Sequence, residues 1–246
     1  MRFSSNDFKT AATNQTLKET VKSNTAYQTH QITDINAFVK RTYQLLAGSL
    51  VAGAVGAYVG LGFVNSMVSP EGGVTFTYWG AVIVEFILLF GLFWAKNKTP
   101  LNLVLLFAFT FMTGFTLAPT LAFYIAKDMG YVIGEAFLLS AVAFGGLTLF
   151  AMNTKRDFTT MGKMLFITLI IVIAASILNI FLHLPMLHLI ISAVSAVLFS
   201  FYILYDTQHI IRGNVSSEIE AAVSLYLDFL NLFISLLNLL GYANDD

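Results

Sequence analysis

Residues 220–241 read EAAVSLYLDFLNLFISLLNLLG. As an α-helix, 22 residues extend about 33 Å, enough to cross a hydrocarbon core of about 30 Å. The polar residues inside this stretch are Ser224, Asp228, Asn231, Ser235 and Asn238, at intervals of four, three, four and three. That spacing puts all five on one helical face, with apolar side chains everywhere else. A helix in lipid turns such a stripe toward protein or water, so this segment is expected near the axis of a helical bundle. Interhelical hydrogen bonding accounts for the Asn and Ser; it accounts poorly for an Asp.

Six further stretches of similar length precede it, at about 42–64, 77–95, 101–126, 131–152, 164–182 and 185–211, with 220–241 as the seventh. The expected fold is an all-α, polytopic seven-helix bundle with the seventh helix central. Composition agrees: 57% of the 246 residues are hydrophobic and 11% charged, whereas a soluble domain carries about 25% charged residues. A net charge of −1 leaves no basic stripe for nucleic acid. The absence of cysteine removes disulfides, thiolate metal sites and cysteine nucleophiles. Residues 1–37 are polar, lack the apolar core of a signal peptide, and are expected to form a disordered cytoplasmic tail before a transmembrane domain at 38–246.

Twelve of the thirteen Lys and Arg residues fall before the first span or in the loops after the second, fourth and sixth spans; Lys127 stands alone on the other side. The positive-inside rule then puts the N-terminus in the cytoplasm and the C-terminus outside it. No loop is long enough for an extramembrane catalytic domain, so any chemistry must sit among the helices.

Acids inside a bilayer cost about 2.5–3.5 kcal/mol at mid-membrane and mark functional sites. Four occur: Glu85, Glu135, Asp206 and Asp228. Asp206 lies about 9 Å, and Asp228 about 12 Å, from the same membrane face. A short loop joins spans six and seven, which makes the two acids a facing pair. Carboxyls in contact share a proton. Protonated, such a pair latches two helices together; deprotonated, it repels itself or attracts a hard cation such as calcium, with Asp206 and Asp228 as transient ligands. Glu85 and Glu135, on the opposite side, outline an outer continuation of a cation route that includes Ser224, Asn231, Ser235 and Asn238.

Other features carry structural readings. Gly53, Gly56, Ala57 and Gly60 form a small-residue face for close helix packing. Pro119 interrupts the third span, with Thr113, Thr116 and Thr120 available to its freed carbonyls. His183 and His188 flank the Leu184-Pro185 turn without the spacing of a helical metal pair and read as solvated; His209 lies on the face of Asp206 and is a candidate donor to it. No cofactor is implied.

The runs FYILYDTQ (201–208), SLYLDFLNLF (224–233) and SLLNLLG (235–241), with FTFMTGFTLAPT (109–120) and TKRD (154–157), resemble the Bax inhibitor, or transmembrane Bax inhibitor motif, family. The resemblance covers residues 40–246. It implies a seven-helix bundle and, as in bacterial members, a pH-sensitive calcium leak of the cell inner membrane. In such members an aspartyl dyad, matching Asp206 and Asp228, is the proton sensor, and a basic residue at the inner end of the second span, here Lys96, pairs with it. Other bacterial relatives are regulators associated with a membrane-bound ATP-dependent protease, which is the alternative role. An enzyme is not expected: an intramembrane aspartyl protease carries Gly-x-Gly-Asp on its seventh span, and Leu225-Tyr226-Leu227 precede Asp228 here.

Overall fold

The computed structural model describes residues 34–71 and 73–244. Seven helices in it are long and apolar enough to cross a membrane: α1 (Asp34–Leu61), α3 (Phe76–Ala95), α4 (Leu101–Ala126), α5 (Gly130–Asn153), α6 (Gly162–Leu182), α7 (Pro185–Ile211) and α8 (Glu218–Ala243). A one-turn helix, α2 (Val64–Met67), and a single antiparallel bridge between Val68 and Val74 fill the link from α1 to α3. The chain is an all-α polytopic membrane protein. One end of the bundle gathers Arg41, Lys96, Arg156 and Arg212 and is called the basic end; the opposite is the far end.

Most spans begin and end within two residues of the hydropathy boundaries. The first does not: α1 starts at Asp34 rather than 42, because Phe38 and Val39 continue the helix and pack beside the buried Leu46 cluster past the point where hydropathy fails. Residues 34–37 of the expected tail are therefore helical, and the remainder of that tail lies outside the described residues.

Helix α8 is central. Half of its spanning window is buried, against 6–39% for the others, and it packs on α4, α5 and α7. The least buried spans, α3 and α6, turn Phe90 and Ile167 outward to where lipid would lie.

Local chemistry sets the α7 boundaries. Pro185 opens it at the first helical position, where no intrahelical N–H is needed. Gly213 closes it at φ 69°, with Gly213 N donating to Ile210 O (3.1 Å) and Asn214 N to His209 O (2.9 Å). This is a Schellman closure, which favours glycine in the left-handed conformation. It turns the chain directly into α8 and makes α7 and α8 antiparallel neighbours.

The small face of α1 docks on α4 at backbone distance. A Cβ on Gly56 would overlap the Phe111 carbonyl, and one on Gly114 would overlap that of Gly53. Tyr226 of α8 reaches this junction: its hydroxyl hydrogen-bonds Thr113 Oγ1 and donates to Thr110 O at 3.1 Å. The threonines near Pro119 act differently from expectation. Thr113 Oγ1 lies 2.7 Å from Thr110 O, and Thr116 Oγ1 lies 3.1 Å from both Met112 O and Thr113 O, so neither is paired with Phe115 O, the carbonyl that a proline at 119 leaves free.

Candidate functional site: a buried acid pair and its cavities

The α7–α8 antiparallel pairing brings Asp206 and Asp228 side by side in one cavity wall, near enough for their carboxyls to interact. Asp228 is 4% exposed and its Oδ2 is buried without a hydrogen-bond donor; Asp206 is half-buried. A hydrogen bond between two carboxyls requires a proton on one of them. Tyr202 stands near both acids and Tyr205 near Asp206.

The pair lines a cavity of about 550 Å³ between α3, α4, α6, α7 and α8. Glu85 of α3, Ser224 and Asn231 of α8, and Tyr202 of α7 share its wall. Three of the four intramembrane acids thus border one space, with no Lys or Arg in its lining. Thr116 Oγ1 donates to Glu85 Oε2 at 2.7 Å, which fixes that carboxyl against α4. Glu135 is not in this wall: it is exposed on α5. The two glutamates lie on the same side of the bundle in sequence terms, but a shared side does not determine which way a helix turns its side chains.

A second cavity, of about 630 Å³, lies farther toward the far end between α6, α7 and α8. Ser192, Ser195, Asn231, Ser235 and Asn238 contribute to its wall, as do His183 and His188. Both histidines are exposed, as a solvated turn requires, and they also border this cavity. Asn238 and His188 also line a third space of about 740 Å³, reaching Lys127 and Tyr242 at the far end. Every member of the α8 stripe borders at least one of these three cavities.

Toward the basic end the dyad cavity stops. Phe109 lines it and also belongs to an apolar cluster with Leu92, Leu106, Ile210, Ile219 and Leu225, each 4% exposed or less. Beyond that plug, charged pairs tie the helix ends. Lys96 Nζ lies 2.7 Å from Glu220 Oε2, and Arg41 Nη1 lies 3.4 Å from Glu218 Oε1. Lys96, expected to pair with the dyad, is instead bound to the first turn of α8. Ser217-x-x-Glu220 has the form of a capping box, yet Ser217 makes no cap hydrogen bond and donates to Lys96 O at 3.4 Å, so both residues face α3. That inter-helix use left no signal in the local pattern.

The other missed residue is Gln208, buried at 1%. Its Oε1 accepts from Phe158 N (2.7 Å) and its Nε2 donates to Arg156 O (2.8 Å) and Ala151 O (3.3 Å), clamping the α5–α6 loop onto α7. Arg212 Nη1 adds an ion pair to Asp157 Oδ1 at 2.7 Å. Hydrogen bonds from Arg212, and then from the Thr159 hydroxyl and amide, pull the Asp157 carboxyl down to about 2. His209 lies against Tyr205 with ring centroids 4.3 Å apart and the planes tilted by 43°, and its Nε2 has no partner. It does not donate to Asp206 through that nitrogen. Among the described residues no group of three or more His, Cys, Asp or Glu converges as a metal centre.

This geometry has a family context. A family model described as "Inhibitor of apoptosis-promoting Bax1" matches residues 35–245. The chain belongs to the Bax inhibitor family. An uncharacterized protein of Campylobacter jejuni is 55% identical over 89% of this chain and 94% of its own length. Escherichia coli K12 has a relative, 35% identical over 85% of this chain and 91% of its own, named "Modulator of FtsH protease YccA"; the same relative in another strain is named an inner membrane protein. The "Golgi anti-apoptotic protein" of vaccinia virus is 40% identical over 64% of this chain and 65% of its own. This Bax inhibitor family member is thus an integral membrane protein whose relatives include inner membrane proteins.

Proposed function

We propose that this protein is a pH-sensitive cation leak, with calcium as its main ion, gated by Asp206 and Asp228 and oriented with the basic end in the cytoplasm. The observation that carries this reading is that two neighbouring acids border one cavity with Glu85, in a lining without Lys or Arg. Two negative charges at contact distance in a low dielectric repel strongly, so the closed arrangement needs a shared proton. Groups facing the pair are Tyr202 and Tyr205 from α7, Glu85 from α3 and Ser224 from α8. All are neutral or acidic, so none stabilises a doubly ionised dyad. Loss of the proton therefore pushes α7 and α8 apart, loosens the Phe109 plug and leaves carboxylate oxygens free for a hard cation. Opening is favoured as pH rises.

Each part has a separate task. The acids reject anions and attract cations; the Ser and Asn stripe supplies neutral oxygens along the route; the apolar cluster stops ions at rest, as hydrophobic constrictions do by excluding water. Purified protein in liposomes loaded with a calcium indicator tests the reading. It requires calcium entry above that of protein-free vesicles between about pH 6 and 8, a range in which a shared-proton dyad can titrate; equal rates would exclude it.

A second reading is a non-enzymatic regulator of a membrane-bound ATP-dependent protease, favoured by the 35% identity to a relative named a modulator of FtsH protease. It requires co-purification with such a protease and an effect on degradation that survives neutralising the dyad.

A further inference from the structure

The dyad cavity and the α6–α7–α8 chamber meet at a common wall. Four side chains line both: Leu169 and Ile173 of α6, Phe199 of α7 and Asn231 of α8. Three are apolar and one is an amide. Phe199 is 8% exposed and packed with the buried Ile203 and Leu232, which holds its ring in place. Asn231 Nδ2 donates to Leu227 O at 2.8 Å, leaving Oδ1 as the amide atom available to the lumen. Ser235 Oγ donates to the Asn231 carbonyl at 2.7 Å, bracing the same turn.

Charge differs on the two sides of this wall. The chamber lining has hydroxyls, amides and two imidazoles but no Asp, Glu, Lys or Arg; the dyad cavity has three acids. A cation entering from the far end meets neutral oxygen first, then an apolar ring with one oxygen, then carboxylates. Passing such a ring requires partial loss of the hydration shell, and the cost depends on ion size and on the oxygen offered in exchange. The acids discriminate by sign of charge; the ring discriminates among cations.

We propose that the α6–α7–α8 chamber is the entrance vestibule of the cation route and that Phe199 with Asn231 forms its selectivity neck. This rests on the cation-leak reading and adds where ions enter and which side chains choose among them. It assigns Phe199 a specificity-determining role that neither its type nor its spacing reveals in the sequence, where it reads as one more core aromatic.

The chain contains no cysteine, so single cysteines report accessibility without background. In the full-length protein in liposomes, a membrane-impermeant cationic methanethiosulfonate is applied to either side. Ser235→Cys, in the chamber, is modified from the far end at least about tenfold faster than from the basic end, because the apolar plug seals the latter. Ser224→Cys, beyond the neck, reacts from the far end more slowly than Ser235→Cys and is accelerated by adding Phe199→Ala. In flux assays Phe199→Ala admits organic cations larger than calcium, while Asn231→Leu lowers calcium flux about tenfold; neither moves the pH midpoint set by the dyad. Asn231→Gln, keeping an amide, retains flux and controls for misfolding.

Failure to label Ser235→Cys, equal labelling from both ends, or an unchanged calcium to organic-cation ratio in Phe199→Ala overturns the neck. If the unaltered protein still carries calcium with dyad-dependent pH sensitivity, those results leave the leak intact. Absence of flux in the unaltered protein overturns both.

Discussion

Lys96 Nζ sits 2.7 Å from Glu220 Oε2, joining the end of α3 to the first turn of α8. Glu220 precedes Asp228 by eight residues on α8, a rise of about 12 Å, so the ammonium is engaged well below the dyad. Both side chains of the pair are about one-third exposed. Lys96→Met is therefore expected to lower stability by at most about 1 kcal/mol and to leave the pH dependence of ion flux unchanged. Detergent-solubilised melting and liposome flux across pH check this; a shifted pH midpoint would tie Lys96 to the dyad after all.

Gly114 faces the Gly53 carbonyl across the α1–α4 contact with no room for a Cβ. Both neighbours are backbone, so the strain has no flexible side chain to absorb it. Gly114→Ala should destabilise the protein by at least about 2 kcal/mol by overpacking. Gly134, with open space at its Cβ position, serves as the control, since Gly134→Ala meets nothing within 4 Å. Equal melting temperatures for the two variants would refute close α1–α4 packing.

How far the sequence could be read varied with the physics involved. Bilayer thickness imposes span length on any crossing helix, so hydropathy located six of the seven spans to within two residues at each end; α1 escaped because its first turns lie beyond the lipid-like stretch and are held by Phe38 and Val39. The α8 stripe was legible because helical period alone collects Ser224, Asp228, Asn231, Ser235 and Asn238. Face and partner were not legible. Glu85 and Glu135 both read as outer acids of one route, yet Thr116 anchors the first beside the dyad cavity while the second is exposed. Glu220 serves α3, a use no local pattern marks, and Phe199 and Gln208 act through packing between elements distant in sequence.

The α5–α6 loop offers a test independent of ion conduction. From a buried position Gln208 makes two hydrogen bonds to it and a third to the end of α5, so Gln208→Ala should lose roughly 2 kcal/mol or more, counting about 0.5–1.5 per hydrogen bond. Limited proteolysis in the loop should rise with it.

The Asp157–Arg212 pair makes a pH prediction of opposite character to the dyad. Its carboxyl is held at about 2, below the ordinary 3.8. A depressed carboxyl contributes stability above its unfolded value and loses it as pH falls through the folded one. Between pH 5 and 8 this ion pair is therefore constant, and Asp157→Asn should leave the pH profile of flux unaltered. A profile change in that variant would place pH sensing at the loop.

The central claim is that Asp206 and Asp228 form the pH-sensing gate. Its most direct test compares calcium flux from pH 6 to 8 in liposomes containing the unaltered protein or Asp206→Asn/Asp228→Asn. Two amides keep the volume and a hydrogen bond but cannot ionise. The account predicts flux that rises with pH in the unaltered protein and a low, pH-independent flux in the double variant. A double variant that retains the same rise, or an unaltered protein whose flux falls as pH increases, would contradict it.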